Sequence, residues 1–434
     1  MSVPPRIFRP QIVPLSADLQ PPQVFAALAD CDGLAWLDSA GGKPADFDLI
    51  GFEPDPLPAG NHPWRVLQAA LADWHVEGQV PGPFHGGFLG ALAYDLGVHG
   101  EGLELPAEPW GWPLLIGGIY RRFVVWPKVG GAPVLVLPQE EDAAEWLRRL
   151  ENAPEPGTFE VGALQRHTPP AEHMRRIEHA RKAIGRGEYY QVNLAHRFTA
   201  PFAGRPEDLY QQLRRSNPAP YCGYLRWSGG ACLSTSPELL LAFDGKRAWT
   251  RPIKGTAPRL ADEAADRAQG QALLASKKDR AELAMIVDLE RNDLGRVAEV
   301  GSVRVAKFPE LESYARVHHL VATVEAQMGP GIGALDLLKA LFPGGSITGA
   351  PKLASMEAIA ALEGEGRGMF TGSLGMLDFR GHALFNILIR TVLWQPGAIS
   401  LRVGGGITFD SDAADEEAET LHKARGMIDA WGGL

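Results

Sequence analysis

The sequence has little cysteine, no long apolar run and no excess of positive charge. Its 434 residues include three cysteines, Cys31, Cys222 and Cys232. None of them has the spacing of a CxxC pair or of a metal site, so they indicate small buried side chains in a reducing compartment. No run of about 18 apolar residues occurs, and the N-terminal stretch lacks the apolar core of a secretory signal. We therefore expect a cytoplasmic protein without a membrane span.

The net charge limits the partners of the chain. Lysine and arginine together number 42, aspartate and glutamate 52, and the formal net charge is -10. Such a field repels nucleic acid and anionic membrane surfaces, so neither is expected as a partner. An anionic substrate would need positive groups placed locally at its site.

By composition, the chain divides into two regions. Residues 1–152 are rich in glycine, proline and tryptophan and contain short apolar runs that are typical of strands and turns. Residues 153–170 are polar and rich in proline and glycine, which predicts a linker. Residues 171–434 contain helical patterns and alternating strand patterns in separate segments. This arrangement favours an α+β fold over a regular βαβ repeat.

A single lysine interrupts the strand-like segment TRPIKGT. Lys254 lies between an apolar residue and a Gly-Thr turn, and Glu238 precedes it by 16 residues. In an antiparallel hairpin, the two residues would face a common cavity. Burial there would lower the pKa of the lysine and make its amine a usable nucleophile, while the carboxyl group would serve as a general acid. From spacing alone, a surface lysine and an unrelated glutamate at a strand end are the alternative.

Two helical segments carry carboxylate pairs three residues apart. Asp279 and Glu282 share one helix face, and Glu416 and Glu419 repeat the spacing in the last helical segment. Together they would offer the oxygen ligands that Mg²⁺ prefers, with room left for substrate oxygens. Each pair also fits a solvated acidic face, and Lys423 follows Glu419 at the spacing of an ordinary surface ion pair.

Glycine-rich turns form a further group of candidates. In FPGGSITGAPK, Thr348 and Gly349 precede a helical pattern whose first backbone N–H groups would bind an anion. Gly404–Gly406 would form a second backbone cradle for a carboxylate, and Arg390 ends the apolar segment FNILIRT, where its guanidinium would grip a carboxylate. Each glycine turn alone is more often structural. Together with the lysine and the acidic pairs, these turns predict a site for a small dianion.

These segments resemble the chorismate-utilising enzymes, and they occur in the order typical of that family. The similar segments are YYQVNLAHRF, SPELLL, RPIKGT, AELAMIVDLERNDLGR, VHHLVATVEA, FPGGSITGAPK, FNILIRT and GGGITFDSD with the following EAETLHKA. They span roughly residues 170–430, and residues 33–54 resemble the family's N-terminal region more weakly. The resemblance implies an anthranilate synthase component I-like fold, in which large antiparallel or mixed β-sheets pack as a sandwich with helices outside.

Two positions indicate which reaction the resemblance implies. Members that form isochorismate or salicylate carry a lysine base where this chain has Gln191, so activation of water is disfavoured. Anthranilate synthase large subunits usually have alanine at the position of Lys254, whereas PIKGT is similar to the members that form aminodeoxychorismate. The implied reaction is Mg²⁺-dependent amination of chorismate to 4-amino-4-deoxychorismate, for para-aminobenzoate and folate biosynthesis, through a covalent bond to Lys254.

The resemblance also assigns roles to the other candidates. Glu238 would protonate the leaving C4 hydroxyl, and Glu282 and Glu419 would hold Mg²⁺ with Asp279 and Glu416 behind them. The residues that would bind the substrate or line its site are Thr348, Gly349, Arg390, Gly404, Gly405, Gly406, Lys423, His319 and Gln191.

The chain departs from the family at two positions, and it lacks a module that makes ammonia. Met376 replaces a tyrosine that many relatives have near the substrate, and Asp279 is one carbon shorter than the usual glutamate. No Cys–His–Glu glutaminase signature occurs, so we expect a separate glutamine amidotransferase subunit as partner. Because relatives hold tryptophan in their N-terminal region, residues 1–152 are a candidate tryptophan pocket. Anthranilate synthase component I and a non-catalytic subunit that binds chorismate or tryptophan are the alternative functions.

Overall fold

The computed structural model describes residues 5–40, 47–99, 102–127 and 131–432. The α-helices within these ranges are α1 (Pro21–Ala27), α2 (Pro63–Ala72), α3 (Ala143–Glu151), α4 (Pro170–Gly185), α5 (Pro206–Ser216), α6 (Glu263–Ala275), α7 (Lys277–Gly295), α8 (Ala334–Leu341), α9 (Lys352–Glu363) and α10 (Ala413–Ile428). Within the same ranges, we find no helix with the length and apolar character that crossing a membrane requires.

The β-strands are short and numerous. In chain order they are β1 (Arg6–Phe8), β2 (Pro10–Pro14), β3 (Ala35–Asp38), β4 (Asp48–Gly51), β5 (Asp55–Pro56), β6 (Trp74–Val76), β7 (Gly87–Leu92), β8 (Leu115–Tyr120), β9 (Phe123–Trp126), β10 (Val134–Pro138), β11 (Glu160–Val161), β12 (Gln165–Arg166), β13 (Gln191–Ala203), β14 (Tyr221–Trp227), β15 (Gly230–Ser236), β16 (Leu239–Phe243), β17 (Arg247–Arg251), β18 (Ile253–Pro258), β19 (Arg304–Ser313), β20 (Val317–Gln327), β21 (Gly349–Ala350), β22 (Ser373–Asp378), β23 (Ala383–Asn386), β24 (Thr391–Gln395) and β25 (Ala398–Ile407). β1 pairs with β6 in parallel.

The first large sheet has 13 strands. Its main order is β11-β13-β25-β24-β15-β14-β3-β4-β9-β10-β2, and β12 and β21 also pair with β13. The longest pairing is antiparallel and joins β13 to β25, with Asn193 opposite Gly406. Because side chains alternate along a strand, Gln191 lies on the same face as Asn193 and next to the glycines of β25.

The second large sheet has ten strands in the order β18-β20-β17-β16-β23-β22-β7-β8-β5, with β19 on β20. The antiparallel pairing of β18 with β20 places Thr256 opposite His319. One cluster of buried side chains joins the inner faces of the two sheets and includes Leu37, Leu225, Leu89 and Leu374. The predicted α+β class and its sandwich of large antiparallel sheets are confirmed.

Helices cover the outer faces of the sheets. α7 and α8 pack Leu283, Val287 and Leu338 against β16 and β20 of the second sheet. α5 and α10 pack Leu209 and Met427 against the first sheet. Each helix buries its apolar stripe on a sheet, as layered α+β proteins require, so the predicted position of the helices is confirmed.

Both sequence regions contribute to the first sheet. β2, β3, β4, β9 and β10 come from residues 1–152 and lie beside strands from residues 171–434. The predicted linker, residues 153–170, contains β11 and β12, which pair with β13. The two regions thus share one hydrophobic interior, and their separate functional roles stay a prediction.

A buried ion pair fixes the end of α9 to β13. Arg367 is 2% exposed, and its Nη2 donates to Glu363 Oε1 at 2.6 Å and to the Asn193 carbonyl oxygen at 2.8 Å. Its Nη1 donates to the Ile347 carbonyl oxygen at 3.0 Å, and Glu363 Oε1 accepts from the Ala195 N–H at 2.9 Å. Buried charges are tolerated only when they are paired and hydrogen-bonded, and these contacts meet that requirement.

We expect Arg367→Met to lower the free energy of unfolding by about 3–5 kcal/mol, because the Glu363 carboxylate would stay buried without its partner. Arg267→Met is the matched control: Arg267 makes the same i,i+4 pair with Glu263, but the two side chains are 70% and 85% exposed. The control should change stability by less than about 0.5 kcal/mol. Equal losses for the two variants in urea denaturation would contradict the role of the buried pair.

Candidate active site

The predicted site residues come from both sheets and from two helices. β13 and β25 of the first sheet carry Gln191 and the three consecutive glycines, whereas β18 and β20 of the second sheet carry Lys254 and His319. α7 and α10 carry the two acidic pairs. The contacts described next show which of these side chains meet.

Lys254 lies half-buried on β18. Its Nζ is 3.5 Å from the Ser346 carbonyl oxygen, and a methyl group added to Gly406 would lie 2.9 Å from the same nitrogen. Burial lowers the pKa of the Lys254 amine, while the charge of Glu282 opposes that shift. These surroundings favour the neutral amine that a lysine nucleophile needs.

Glu238 lies between β15 and β16, where the chain crosses from the first sheet to the second. The residue is 3% exposed, and its Oε1 accepts a hydrogen bond at 3.2 Å from the N–H of Ile253, which directly precedes Lys254. Burial raises the pKa of the Glu238 carboxyl, while Lys254 and Arg390 lower it. The contact differs from the expected hairpin, because β16 pairs with β17 and Lys254 lies one strand further, on β18.

Gln191 is fully buried beside the amine of Lys254. Neither its Oε1 nor its Nε2 has a hydrogen-bond partner among the described residues. A methyl group on Gly406 would lie 2.8 Å from Gln191 Nε2 and 2.9 Å from Lys254 Nζ, so the glycine lets both groups approach β25. An unpaired buried amide is costly, and a polar ligand would supply the missing partners.

α7 brings Glu282 near Lys254 and fixes Asp279 at its first turn. The Ser276 hydroxyl donates to Asp279 Oδ2, and a methyl group on Gly255 would lie 2.9 Å from Asp279 Oδ1. Gly255 has a φ of 74°, in the left-handed region that favours glycine, so it allows this close approach. Burial raises the pKa of the Glu282 carboxyl, and Lys254 lowers it.

α10 places its acidic pair beside the glycines of β25. Glu416 is 7% exposed, its Oε1 accepts from the Ser411 hydroxyl at 2.7 Å, and a methyl group on Gly405 would lie 3.1 Å from its Oε2. The Glu419 side chain is 55% exposed and pairs with Lys423 at 2.8 Å. Lys423 lowers the pKa of the Glu419 carboxyl, whereas burial raises that of Glu416. Glu419 and Lys423 therefore form the helix ion pair that the sequence offered as an alternative, and this pair borders the site.

Lys423 also ties α10 to β25, because its Nζ donates to the Gly404 carbonyl oxygen at 3.0 Å. The four predicted metal-binding carboxylates do not form a compact cluster. Among the described residues, the groups whose ligand atoms converge within 4.8 Å are His85, Asp378 and His382 in one place and His173, His196 and Glu417 in another. Mg²⁺ usually keeps several waters and uses one or two carboxylates, so it does not need such convergence.

Arg390 and His319 form a hydrogen-bonded pair. Arg390 Nη2 donates to His319 Nε2 at 3.1 Å, so the neutral imidazole carries its proton on Nδ1. Nδ1 lies 3.4 Å from the Gly255 carbonyl oxygen and 3.0 Å from the Thr256 hydroxyl. Burial lowers the pKa of His319 to about 3, and the charge of Arg390 adds to the shift. The histidine is therefore neutral at neutral pH.

The backbone of Arg390 is also constrained. Its φ of 50° is uncommon for a residue with a side chain, and its carbonyl oxygen accepts from both the N–H and the hydroxyl of Thr235 at 3.0 Å. Unusual backbone conformations of this kind occur most often at functional sites. The guanidinium retains donors for a carboxylate, because His319 uses one of five.

Thr348 and Gly349 shape the loop that follows the 3-10 turn Gly345–Ile347. Thr348 is fully buried, and its hydroxyl donates to the Gly344 carbonyl oxygen at 2.9 Å. A methyl group on Gly349, whose φ is 144°, would lie 2.1 Å from the Gln191 carbonyl oxygen. Both residues thus hold the loop against β13, and their direct contact with a substrate stays a prediction.

Two further residues belong to or contact the Gly345–Ile347 turn beside Lys254, although the sequence did not single them out as site residues. Ser346 is 5% exposed, and a hydrogen bond from its side chain lowers the pKa of the Glu238 carboxyl. Glu290 of α7 is 2% exposed, and its Oε1 accepts from the Gly345 N–H at 3.0 Å. The available signal for Glu290 was an acidic residue on the same helical stripe as the buried Leu283.

The resemblance associates Met376 and the N-terminal region with ligands, but in the structure both have different surroundings from those expected. Met376 is 2% exposed and packs in the cluster between the sheets, so it is a core residue. A cavity of about 20 Å³ lies between the N-terminal region and β14, lined by residues that include Asp38, Phe47, Tyr221 and Asn386. A cavity of this size holds about one water molecule. This cavity is too small for tryptophan, and the tryptophan pocket predicted within residues 1–152 stays a prediction.

The chain is similar to enzymes with two different named activities. The family model "chorismate binding enzyme" matches residues 41–429. Anthranilate synthase component 1 of Streptomyces coelicolor is 38% identical, over 96% of this chain and 87% of that protein. Aminodeoxychorismate synthase component 1 of Salmonella typhimurium is 40% identical, over 84% of this chain and 82% of that protein.

Solved structures share the fold. The crystal structure of anthranilate synthase component I from Streptococcus pneumoniae has a TM-score of 0.78 at 29% identity, and the match covers 88% of this chain and 92% of that one. MenF, the menaquinone-specific isochorismate synthase of Escherichia coli, also has a TM-score of 0.78, at 20% identity over 99% and 96% of the two chains. The predicted anthranilate synthase component I-like fold is confirmed.

We expect the Lys254 amine to become reactive at a lower pH than an ordinary lysine, because burial lowers its pKa. Competitive labelling with acetic anhydride between about pH 7 and 11, followed by peptide mass spectrometry, measures the pH at which each amine loses its proton. Lys246, which is exposed in a turn, is the matched control. Coincident labelling curves for the two lysines would contradict the lowered pKa.

Proposed function

The chain belongs to the family of chorismate binding enzymes and acts on chorismate, and we propose that it converts chorismate to 4-amino-4-deoxychorismate. In this proposal, the enolpyruvyl group is retained and the product serves para-aminobenzoate and folate biosynthesis. Ammonia comes from a separate glutamine amidotransferase subunit, since the sequence lacks a glutaminase signature.

The proposal depends most on the neighbouring positions of Lys254 and Glu238. The amine of Lys254 has a lowered pKa and the carboxyl of Glu238 has a raised one, so both shifts favour neutral groups. A neutral amine attacks carbon, and a neutral carboxyl donates a proton to a leaving oxygen. This complementary pair supports covalent catalysis by lysine, which distinguishes the proposed reaction from direct amination.

The carboxylates of α7 and α10 fit a Mg²⁺ ion by their chemistry. Burial raises the pKa of Glu282, and the charges of Asp279 and Glu419 add to the shift, so a divalent cation would relieve repulsion among them. We assign Glu282 and Glu419 as ligands, with Asp279 and Glu416 behind them, each oriented by a serine hydroxyl. When bound, the ion would neutralise the ring carboxylate of chorismate.

The proposed reaction begins when the neutral amine of Lys254 forms a bond to C2 of chorismate. The ring double bond shifts, the bond between C4 and its hydroxyl breaks, and Glu238 donates the proton with which the oxygen leaves as water. Ammonia then bonds to C4, the double bond shifts back, and the bond between C2 and Lys254 breaks. The added ammonia returns a proton to Glu238, so one ammonia is consumed and one water is released.

The remaining cations of the site fit the two carboxylates of the substrate. Arg390 directly precedes β24, and Lys423 of α10 lies beside the glycines of β25, where it binds the Gly404 carbonyl oxygen. His319 lines the site in its neutral form, and its Nε2 accepts a hydrogen bond from Arg390.

We expect mass spectrometry of a reaction with chorismate, Mg²⁺ and ammonium to detect 4-amino-4-deoxychorismate, with no release of pyruvate. Formation of anthranilate and pyruvate would instead assign the chain to anthranilate synthesis, the second candidate, which the similarity to the Streptomyces coelicolor enzyme favours. No turnover even at high ammonium would indicate a non-catalytic subunit. The three outcomes have different products, so one experiment separates them.

We expect Lys254→Ala and Glu238→Gln each to lower kcat for amination by at least about 100-fold, because each removes a group that forms a bond or moves a proton. Lys246→Ala removes an exposed lysine and should leave kcat unchanged. Without ammonia, the wild-type protein should accumulate a covalent adduct on Lys254, detectable as an increase in peptide mass. Normal turnover by Lys254→Ala would refute the nucleophile, although membership of the family would stand.

A further inference from the structure

Behind the nucleophile, α7 carries a buried carboxyl group that the proposed reaction does not use. Glu290 is 2% exposed, and its Oε1 accepts a hydrogen bond from the Gly345 N–H at 3.0 Å. Its Oε2 has no hydrogen-bond partner among the described residues. Lys352 is the nearby cation that lowers the pKa of Glu290. Its amine binds Asp293 at 2.6 Å and the Leu341 carbonyl oxygen at 3.0 Å.

The surroundings of Glu290 favour its neutral form. Burial is the main cause, and the carboxyl groups of Asp293 on the same helix and of Glu238 between β15 and β16 act in the same direction. Lys352 of α9 and the Gly345 N–H oppose them, and the resulting pKa of Glu290 is about 8. At neutral pH, the predominant species is thus a carboxylic acid.

One turn connects Glu290 to the amine of Lys254. Gly345 donates to Glu290, and the carbonyl oxygen of the next residue, Ser346, lies 3.5 Å from Lys254 Nζ. A methyl group on Gly345 would lie 3.2 Å from Glu290 Oε1 and 2.6 Å from Leu289 Cδ2, so the turn packs closely on α7. Movement of this turn would displace the oxygen that faces the amine.

We propose that Glu290 is a positioning residue, whose buried carboxyl group accepts the Gly345 N–H and holds the Gly345–Ser346 turn in place beside Lys254 and Glu238. The inference rests on the proposed function, which assigns those two residues to the reaction. Neutrality matters because Glu290 and Glu238 interact through space, and a negative charge on one raises the pKa of the other. A carboxylate at position 290 would therefore disturb the protonation of Glu238, which the proposed reaction uses.

Three variants test the proposal. Glu290→Gln is neutral and keeps an acceptor for the Gly345 N–H, whereas Glu290→Met is neutral and has no such acceptor. Asp288→Asn is the matched control, since it removes a carboxylate from the same helix where the side chain is 74% exposed. Thermal unfolding from about pH 5 to 9 measures the effect of charge, and chorismate consumption at saturating ammonium measures the effect on the site.

The sign of the stability effect follows from the pKa of Glu290. Between the unfolded value of about 4.3 and the folded value of about 8, the unfolded chain releases this proton and the folded chain keeps it. This group therefore destabilises the wild-type protein increasingly as pH rises through that range. The Tm of both Glu290 variants relative to wild type should rise over the same range and then level off, while Asp288→Asn should show no such trend. A Tm difference between the Glu290 variants and wild type that does not vary with pH would contradict a neutral carboxyl group at Glu290.

The activity data test positioning. We expect Glu290→Gln to keep kcat within about threefold of wild type at neutral pH and to lose less activity than wild type above pH 8. Glu290→Met should lose about tenfold or more in kcat with little change in KM for chorismate. A Met variant with full kcat would overturn the positioning role. The unfolding experiment does not involve chorismate. Normal turnover by Lys254→Ala would contradict the proposed function, whereas a pH-independent Tm difference or full kcat of Glu290→Met would contradict the role of Glu290.

Discussion

The site depends on keeping one lysine amine partly out of water while acidic side chains approach it. Lys254 belongs to the second sheet, yet its amine lies close to β25 of the first, because Gly406 has no side chain that would occupy the space. Two packed sheets fix this approach more rigidly than a loop would. The lowered pKa of the amine is a consequence of that packing.

The charge of the whole chain opposes a dianionic substrate, and the fold compensates locally. With a net charge of -10, the protein places Arg390 and Lys423 at the site and holds each by a specific contact. Arg390 keeps a left-handed backbone, which costs about 1–3 kcal/mol and persists because contacts such as the hydrogen bond from Thr235 hold it there. Acidic side chains on α7 and α10 supply the opposite charge, and in the proposed function these carboxylates bind Mg²⁺ while the two cations bind the substrate.

Local elements could be predicted from the sequence because their signals are local. Residues 142–153 have the apolar spacing of an amphipathic helix, and they form α3 (Ala143–Glu151). The segment YYQVNLAHRF alternates apolar and polar residues, and it contains the start of β13. The sequence contains no local signal that predicts which distant segments pair in a sheet. The residues of the predicted linker form β11 and β12, which pair with β13. Lys254 lies on β18, a strand beyond the expected hairpin. In both cases, the backbone forms hydrogen bonds with the strand that the packed sheets place beside it.

By itself, the sequence determined the chemical inventory: a lysine in PIKGT, a glutamate after a strand, two carboxylate pairs, glycine turns and their family order. Only the tertiary structure decided which members of that inventory act on one another. It brought Glu282 and Glu238 near Lys254, made Met376 a core residue, and left Glu290 as a neutral acid behind the Gly345–Ser346 turn. The reason is that burial and charge act through space, between side chains from different strands and helices, whereas residue patterns record neighbours along the chain.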